Sequence, residues 1–124
     1  MKTLSRDQML LLHSQLIDRY GGTHGVRDEG LLDSALSAPF HGFGDYEFFQ
    51  MVIDKAVRLS YGLIVNHPFH DGNKRIGALA LLTILDLNNV EREAANQELE
   101  QVILDVASGA VDYKAFHAWV LSHI

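Results

Sequence analysis

Apolar residues recur every three or four positions along most of the chain, which is the spacing of one face of an α-helix. A first helix is predicted to follow Ser5, because a serine three positions before Gln8 forms the pattern of a capping box. Gly21 and Gly22 are expected to end it, since glycine is a poor helix former. The apolar positions of this helix are Met9, Leu12, Leu16, Ile17 and Tyr20.

A shorter helix is predicted after Asp28, because an aspartate at the N-cap accepts hydrogen bonds from the first turn. Pro39 should end it, since proline cannot continue a helix. Its apolar positions are Leu31, Leu32, Ala35 and Leu36. Residues 39–46 contain three aromatic residues and two glycines without a clear period, which favours an exposed loop or a small hairpin.

Two longer apolar patterns occupy the middle of the chain. One predicts a helix from about Glu47 to Asn66, with Phe49, Val52, Ile53, Ala56, Val57, Ser60, Leu63 and Ile64 on one stripe. The other predicts a helix from about Gly72 to Leu87, ended by Asn88 and Asn89. Apolar residues lie around most of its circumference, which is typical of a central, buried helix.

Two further helices are predicted in the C-terminal part. The first carries Leu99, Val102, Ile103 and Val106 and stops at Gly109, and the second follows an Asp112 cap and carries Phe116, Trp119, Val120 and Ile124. No segment alternates with period two for long, so extended sheets are not expected. We predict an all-α fold: a single domain over residues 1–124, built as a compact bundle of about six helices, with residues 66–75 as a loop opening onto the central helix.

The composition is that of a folded, soluble protein. Hydrophobic residues make up 48% of the 124 positions, and the absence of cysteine excludes disulfides, thiol catalysis and cysteine-based zinc sites. The chain begins directly with the amphipathic pattern, and the apolar tract from Ala78 to Leu87 is interrupted by Thr83 and Asp86. We therefore expect a cytoplasmic protein with neither a signal segment nor a membrane partner.

The charge balance argues against direct nucleic-acid binding. The chain has 16 acidic and 10 basic residues, a formal net charge of −6, whereas nucleic-acid binding depends on basic surfaces. Lys74 and Arg75 form a local cationic spot in this acidic chain. Such a spot suits one polyanionic ligand without making the whole surface attract polyanions.

The consecutive residues from His67 to Arg75 join groups suited to phosphoryl transfer. An imidazole, which ordinarily titrates near pH 6.5, can take a proton from an incoming hydroxyl. The carboxylate of Asp71 suits Mg²⁺, which prefers one or two carboxylates plus substrate phosphates. Gly72 lets backbone amides approach a phosphate, and Pro68 is expected to hold His67 extended.

The remaining residues of this stretch add amide and cationic groups. Asn73 is suited to orienting either phosphate oxygens or the loop itself, and Lys74 and Arg75 place charge where phosphoryl transfer develops it. Taken singly, these residue types are common in turns and at helix starts. His67, His70 and Asp71 also leave a zinc site open as an alternative. The other histidines are scattered and are expected to be surface or hydrogen-bonded residues.

The stretch His67-Pro68-Phe69-His70-Asp71-Gly72-Asn73-Lys74-Arg75 resembles the signature of the Fic/Doc superfamily, His-Pro-Phe-x-(Asp/Glu)-Gly-Asn-(Gly/Lys)-Arg. The match covers nine successive positions, of which eight are specified. Tyr20-Gly21-Gly22 and the stretch from Gly25 to Leu36 further resemble the N-terminal part of Doc-type (death-on-curing) toxins. The chain length and helical plan are also similar to this family.

The resemblance implies a role for each motif residue. His67 would be the general base, and Asp71 the Mg²⁺ ligand. Asn73, Lys74 and Arg75 would hold the phosphates of ATP, and the catalytic set would comprise these three residues with His67 and Asp71. Gly72 would open an anion-binding nest beside them. Phe69 would anchor the loop in the core.

Two departures from the Fic form point to the Doc form. Lys74 stands where Fic adenylyltransferases usually have glycine, and Ala78 where they have a second arginine. In the family these changes accompany transfer of the γ-phosphate. The resemblance thus implies a Mg²⁺-dependent toxin kinase acting on a Ser or Thr hydroxyl, with a threonine of elongation factor Tu as target and arrest of translation as the result. The alternatives are an adenylyltransferase and an inactive module that only binds a partner.

A partner is expected to restrain this activity. Many Fic proteins carry an inhibitory (Ser/Thr)-x-x-x-Glu motif, but no Ser or Thr of this sequence has Glu four residues later. In Doc-type systems a small antitoxin supplies the restraint, so an antitoxin is predicted to bind near the active-site groove. We expect Phe40, Phe43 and Tyr46 to border that groove, close to Lys74 and Arg75.

Overall fold

The computed structural model describes residues 1–91 and 96–123. In these ranges the chain forms six α-helices and one short antiparallel hairpin, which confirms the all-α prediction. The elements in chain order are α1 (Arg6–Tyr20), α2 (Glu29–Ser37), a 3₁₀ turn (Ala38–Phe40), β1 (Gly42–Phe43), β2 (Tyr46–Glu47), α3 (Val52–Asn66), α4 (Asn73–Leu87), α5 (Asn96–Ser108) and α6 (Tyr113–Ser122).

The predicted helix starts and stops are largely confirmed, because local signals set them. The capping box at Ser5 forms as expected, with both of its hydrogen bonds to Gln8. Asp28 accepts from the Leu31 N–H at 3.0 Å and starts α2. Asp112 does the same for α6, accepting from the Ala115 N–H at 2.8 Å.

The predicted start of α3 at about Glu47 is wrong. Tyr46 and Glu47 pair with Phe43 and Gly42 in the hairpin, so these residues are not free to form a helix. The helix begins only at Val52, where Asp54 accepts a hydrogen bond from the Met51 N–H at 3.0 Å. Phe49 therefore precedes α3. The prediction for Ile124 falls outside the described residues.

The core is built around α3 and α4, which pack against each other along their lengths. Ser60 of α3 is fully buried and donates from its hydroxyl to the Gly77 carbonyl oxygen of α4 at 2.8 Å. Seven residues of α4 are buried: Asn73, Ile76, Gly77, Ala80, Leu81, Ile84 and Leu85. The central position of α4 is thus confirmed. Its outward face is only partly covered, however, since Leu82 is half-buried and Leu87 is exposed.

The helices of the described ranges include none that combines the length and the apolar character needed to cross a membrane.

Candidate active site

The loop between α3 and α4, residues 67–72, carries most of the predicted site. His67 ends α3 with φ 50° and ψ 56°, a left-handed conformation. The prediction of an extended His67 is therefore wrong. Its cause is tertiary: Arg27 and Asp28 donate to the carbonyl oxygens at the end of α3, which fixes a tight exit from the helix. Helices commonly end in a left-handed residue.

The connection between α1 and α2 lies alongside this loop. Val26 and Phe69 form an antiparallel β-bridge, and the His70 N–H donates to the Gly25 carbonyl oxygen at 3.2 Å. The Phe69 side chain is 1% exposed, which confirms that it anchors the loop in the core. The loop is therefore fixed both by its backbone hydrogen bonds and by the buried side chain of Phe69.

Asn73, the first residue of α4, closes the loop on itself. Its Oδ1 accepts from the Phe69 N–H at 3.0 Å, and its Nδ2 donates to the Phe69 carbonyl oxygen at 3.0 Å. Nδ2 also lies 3.5 Å from Nδ1 of His67, a distance too long to fix the tautomer of that ring. Of the two roles predicted for Asn73, the side chain is thus seen in the loop-orienting one.

Asp71 is an exposed residue that is anchored at two points. Its Oδ2 accepts from the Thr23 N–H at 2.7 Å, and its backbone carbonyl oxygen lies 2.7 Å from Nε2 of His13. Among the described residues no hydrogen-bond partner reaches Oδ1. The residue is exposed, which suits its carboxylate to binding a ligand.

His13 of α1 supports the loop from below. The side chain is buried, and its ring stacks on Phe69 with centroids 3.7 Å apart and an interplanar angle of 10°. Burial lowers the pKa of His13, although the hydrogen bond to the Asp71 carbonyl raises it. The ring is therefore neutral near pH 7, with Nε2 as the N–H that donates to Asp71.

Three supporting residues were absent from the sequence-based site: His13, Thr23 and Arg27. A signal existed for His13, which lies four positions after Met9 and four before Ile17 on the buried stripe of α1. A polar ring on an apolar stripe needs a buried hydrogen-bond partner. Thr23 acts through its backbone N–H, which leaves no signal in the side chain.

The start of α4 is open to an anion. Gly72, the N-cap residue, has φ +78°, and a Cβ there would lie 3.2 Å from both Ile17 Cδ1 and Leu16 Cδ2. No side chain of the described residues caps this helix, so the first backbone N–H groups of α4 have no capping acceptor among them. Such groups, together with the positive end of the helix dipole, are a common phosphate-binding arrangement.

Lys74 and Arg75 lie exposed on the first turn of α4, beside two grooves. The α4–α5 groove, of about 630 Å³, is lined by Gly72, Asn73, Lys74, Arg75, Ala78, Leu82, Asn96, Leu99, Glu100, Ile103 and Leu104. The α1–α4 groove, of about 380 Å³, is lined by Leu12, Gln15, Leu16, Arg19, Tyr20, Arg75, Ala78, Leu79 and Leu82. The Arg75 guanidinium lies 4.6 Å from the centre of the Tyr20 ring.

Comparison with known proteins places this chain in a family. The profile of the Fic/DOC family matches residues 3–85, which include α1 to α3, the loop and most of α4. The chain belongs to the Fic/Doc family. It is also similar to Toxin Doc of Mycolicibacterium smegmatis, with 39% identity over 75 residues. That match covers 60% of this chain and 58% of the relative.

The Fic/Doc loop fits Mg²⁺ better than it fits zinc. The described residues contain no group of three or more His, Asp or Glu side chains placed to hold a metal ion, so a zinc site at His67, His70 and Asp71 is not supported. Mg²⁺ has other needs, since it usually binds through one or two carboxylates and substrate phosphates. The carboxylate of the exposed Asp71, next to the open start of α4, meets that requirement.

The hairpin of this Fic/Doc chain is fixed at the far end of α3 from the loop. Lys55, in the first turn of α3, is buried and donates from Nζ to the carbonyl oxygens of Pro39 and Phe49 and to Glu47 Oε1. At about 1.5 Å per residue, Lys55 lies roughly 18 Å from His67 along the helix.

The aromatic residues of the hairpin are exposed as predicted, with Phe43 at 83% and Tyr46 at 59%. They line neither of the two grooves beside Arg75. The sequence predicts that the aromatic residues of the hairpin and Lys74 border the same groove. In neither of these two grooves do they lie together. The physical reason is the anchorage of the hairpin base by Lys55.

Proposed function

We propose that this protein is a Doc-type toxin kinase that transfers the γ-phosphate of ATP to a Ser or Thr hydroxyl of a target protein. The observation that carries the proposal is Lys74, which lies in the first turn of α4 where Fic adenylyltransferases usually have glycine. Ala78, one turn further on, replaces their second arginine, and both residues line the α4–α5 groove. Lys74 in the first turn, without an arginine at position 78 one turn later, supports presentation of the γ-phosphate of ATP to the target hydroxyl.

In the proposed reaction, Nδ1 or Nε2 of His67 accepts the proton of the target hydroxyl. The hydroxyl oxygen forms a bond to the γ-phosphorus, the bond from that phosphorus to the β,γ-bridging oxygen breaks, and ADP leaves with the electron pair. The exposure of His67 at the end of α3 supports this role, because a protein hydroxyl can reach it. A general base of this kind typically contributes about 10²–10⁴-fold to the rate.

The phosphates of ATP would bind at the open start of α4. The backbone N–H groups of the first turn, Lys74 and Arg75 supply the positive charge, and the volume of the α4–α5 groove lies within the roughly 300–1,000 Å³ typical of small-molecule sites. Asp71 would hold Mg²⁺ through Oδ1, with its orientation fixed by the Thr23 N–H. When bound, that ion neutralises negative charge on the phosphates.

The proposed target is a threonine of elongation factor Tu, as the family resemblance implies, and the proposed result is arrest of translation in the cytoplasm. The name of the M. smegmatis relative, Toxin Doc, supports the toxin part of this proposal. A net charge of −6 supports a protein target over a nucleic acid.

The deciding experiment follows labelled phosphate from ATP into purified elongation factor Tu. γ-Labelled ATP should label the target and α-labelled ATP should not, and His67→Ala should abolish the transfer. Label from the α position alone would refute the kinase and establish the adenylyltransferase alternative. Growth inhibition by His67→Ala and Asp71→Ala equal to that of the parent would instead favour the inactive binding module.

The proposed antitoxin would dock on the outward face of α4 as a segment that folds on binding. Ala78, Leu79 and Leu82 leave this face apolar, and Arg19 and Arg75 add positive charge at its edge. These features suit an amphipathic helix that carries carboxylates. Leu79→Glu, which lies in the α1–α4 groove but not in the α4–α5 groove, should escape neutralisation by the co-expressed antitoxin. Leu87→Glu, on the same helix but outside both grooves, should remain neutralised.

A further inference from the structure

Three consecutive carbonyl groups at the end of α3 are bonded by a single residue of another segment. Nη2 of Arg27 donates to the Asn66 carbonyl oxygen at 2.9 Å, and Nε donates to that of His67 at 2.7 Å. The backbone N–H of Arg27 donates to the Pro68 carbonyl oxygen at 2.7 Å, and that of Asp28 donates to the same oxygen at 3.1 Å. Arg27 thus contacts the backbone on both sides of the candidate general base.

The backbone at His67 requires such support. In the described part of the chain only His67 and Asn89 have positive φ without being glycine. The conformation is disfavoured further at His67, because the ring of a following proline crowds the helical region of the preceding residue. Residues in sparsely populated conformations persist only where the surrounding structure fixes them.

The guanidinium of Arg27 forms no ion pair with the residues that the structure describes. Within residues 1–91 and 96–123, no carboxylate lies within 4.0 Å of it. The nearby Glu29 and Asp33 pair with Arg6 instead. Because a guanidinium is planar with donors in a fixed fork, bonding two adjacent carbonyl groups fixes its orientation, whereas the rotatable ammonium of a lysine has no such plane to fix.

We propose that Arg27 is a positioning residue for His67. Its side chain holds the left-handed exit of α3 and so sets the direction in which the His67 imidazole faces an incoming hydroxyl. Arg27 itself touches neither nucleotide nor target. This inference rests on the proposed function for its kinetic consequence, whereas its structural consequence is independent of any activity.

The kinetic arm compares Arg27→Ala and Arg27→Lys with the parent. Misplacing a reacting group by about 1 Å can cost about 100-fold, so kcat for phosphotransfer should fall about 10- to 100-fold in Arg27→Ala. The Kd for Mg·ATP should stay within about twofold, because the start of α4 is untouched. Added guanidinium ion should restore part of kcat in Arg27→Ala, and Arg27→Lys should recover less than that ion does.

The matched control is Arg6→Ala, which removes another arginine side chain, one that connects α1 to α2 without contacting the loop. Its kcat should equal that of the parent, and guanidinium should not change it. If the variants lost activity only through a general loss of stability, the kcat of both would fall. Added guanidinium would then restore neither value. A kcat of Arg27→Ala within about twofold of the parent would overturn the proposal.

The structural arm measures amide hydrogen exchange in the loop. The His70 N–H, bonded to Gly25, should exchange faster in Arg27→Ala and at the parent rate in Arg6→Ala. Unchanged exchange in Arg27→Ala would overturn the proposal whatever the kinetics. A parent inactive with both labelled nucleotides would refute the proposed function alone, and the exchange rates would still decide whether Arg27 fixes the loop.

Discussion

His13 and Asp71 join helix α1 to the Fic/Doc loop through one hydrogen bond of 2.7 Å between Nε2 and the Asp71 carbonyl oxygen. The same imidazole stacks on Phe69, so one buried ring fixes the loop at two residues. The carboxylate of Asp71 is thereby positioned through its backbone, independently of the Thr23 N–H that orients its side chain. Helix α1 is therefore part of the candidate active site although it carries none of the motif.

Replacing His13 should separate the stacking from the hydrogen bond. His13→Phe keeps an aromatic ring against Phe69 but leaves the Asp71 carbonyl without its donor, which should lower the free energy of unfolding by about 1–3 kcal/mol. His13→Gln retains an N–H donor and should lose less. Urea denaturation measures both, and a larger loss in His13→Gln than in His13→Phe would contradict the role of the hydrogen bond.

The burial of His13 should also make stability pH-dependent. Burial lowers the pKa of His13, so the unfolded chain takes up this proton at a higher pH than the folded protein does. Protonation therefore favours unfolding: the contribution is fully present above about pH 6.5 and is lost as the pH falls through the folded-state pKa. The difference in unfolding free energy between the parent and His13→Gln should shrink between about pH 7 and pH 5. A constant difference would show that another group is responsible.

Some helix ends of this fold can be predicted from the sequence, and others cannot. The ends of α1, α2 and α4 could be predicted because Ser5, Asp28, Gly72 and similar signals act within a few residues. The start of α3 could not, because strand pairing between Gly42 and Glu47 determines it. The pattern of residues 39–46 favours a loop or a small hairpin, but it does not show that the pairing extends to Glu47.

The candidate site likewise combines residues that the sequence predicts with residues that only the fold brings together. Its motif residues are consecutive and can be recognised together, whereas their supports come from far along the chain. His13, Thr23 and Arg27 lie 58, 48 and 40 positions from the loop residues that they bond. Only the folded arrangement of α1 and α2 brings them to the loop, and it also reverses the conformation that Pro68 predicts for His67.

Gly72 should be intolerant of a side chain for two separable reasons. Its φ of +78° disfavours an L-residue by about 1–2 kcal/mol, and a Cβ would also press on Ile17 and Leu16. Gly109 is a matched control, since it has φ +86° but no atom within 4 Å of a built Cβ. Gly72→Ala should therefore lower the unfolding free energy more than Gly109→Ala does. Equal losses in urea denaturation would exclude the contact with α1.

Lys55 should stabilise the hairpin without affecting the binding of ATP. Lys55→Met leaves the carbonyl groups of Pro39 and Phe49 without their charged donor, which should cost about 2–3 kcal/mol of unfolding free energy. The KM for the protein target should rise if the exposed aromatic residues contact it, while the Kd for ATP stays unchanged. Glu47→Gln, which alters the exposed partner only, serves as the control. A loss of ATP affinity in Lys55→Met would show that the hairpin and the α4 site are coupled.

Substitutions of different motif residues should have different effects on kcat and on the Kd for ATP. His67→Ala should lower kcat about 10²–10⁴-fold with little change in the Kd for ATP, because a general base acts on the target hydroxyl. Lys74→Ala and Arg75→Ala should weaken ATP binding as well as turnover, since both side chains lie beside the open start of α4 where the phosphates are proposed to bind. Calorimetric titration with Mg·ATP and steady-state kinetics separate the two effects. An equal loss of ATP affinity in all three variants would contradict these separate roles, because His67 lies on the loop while the two cations line the groove.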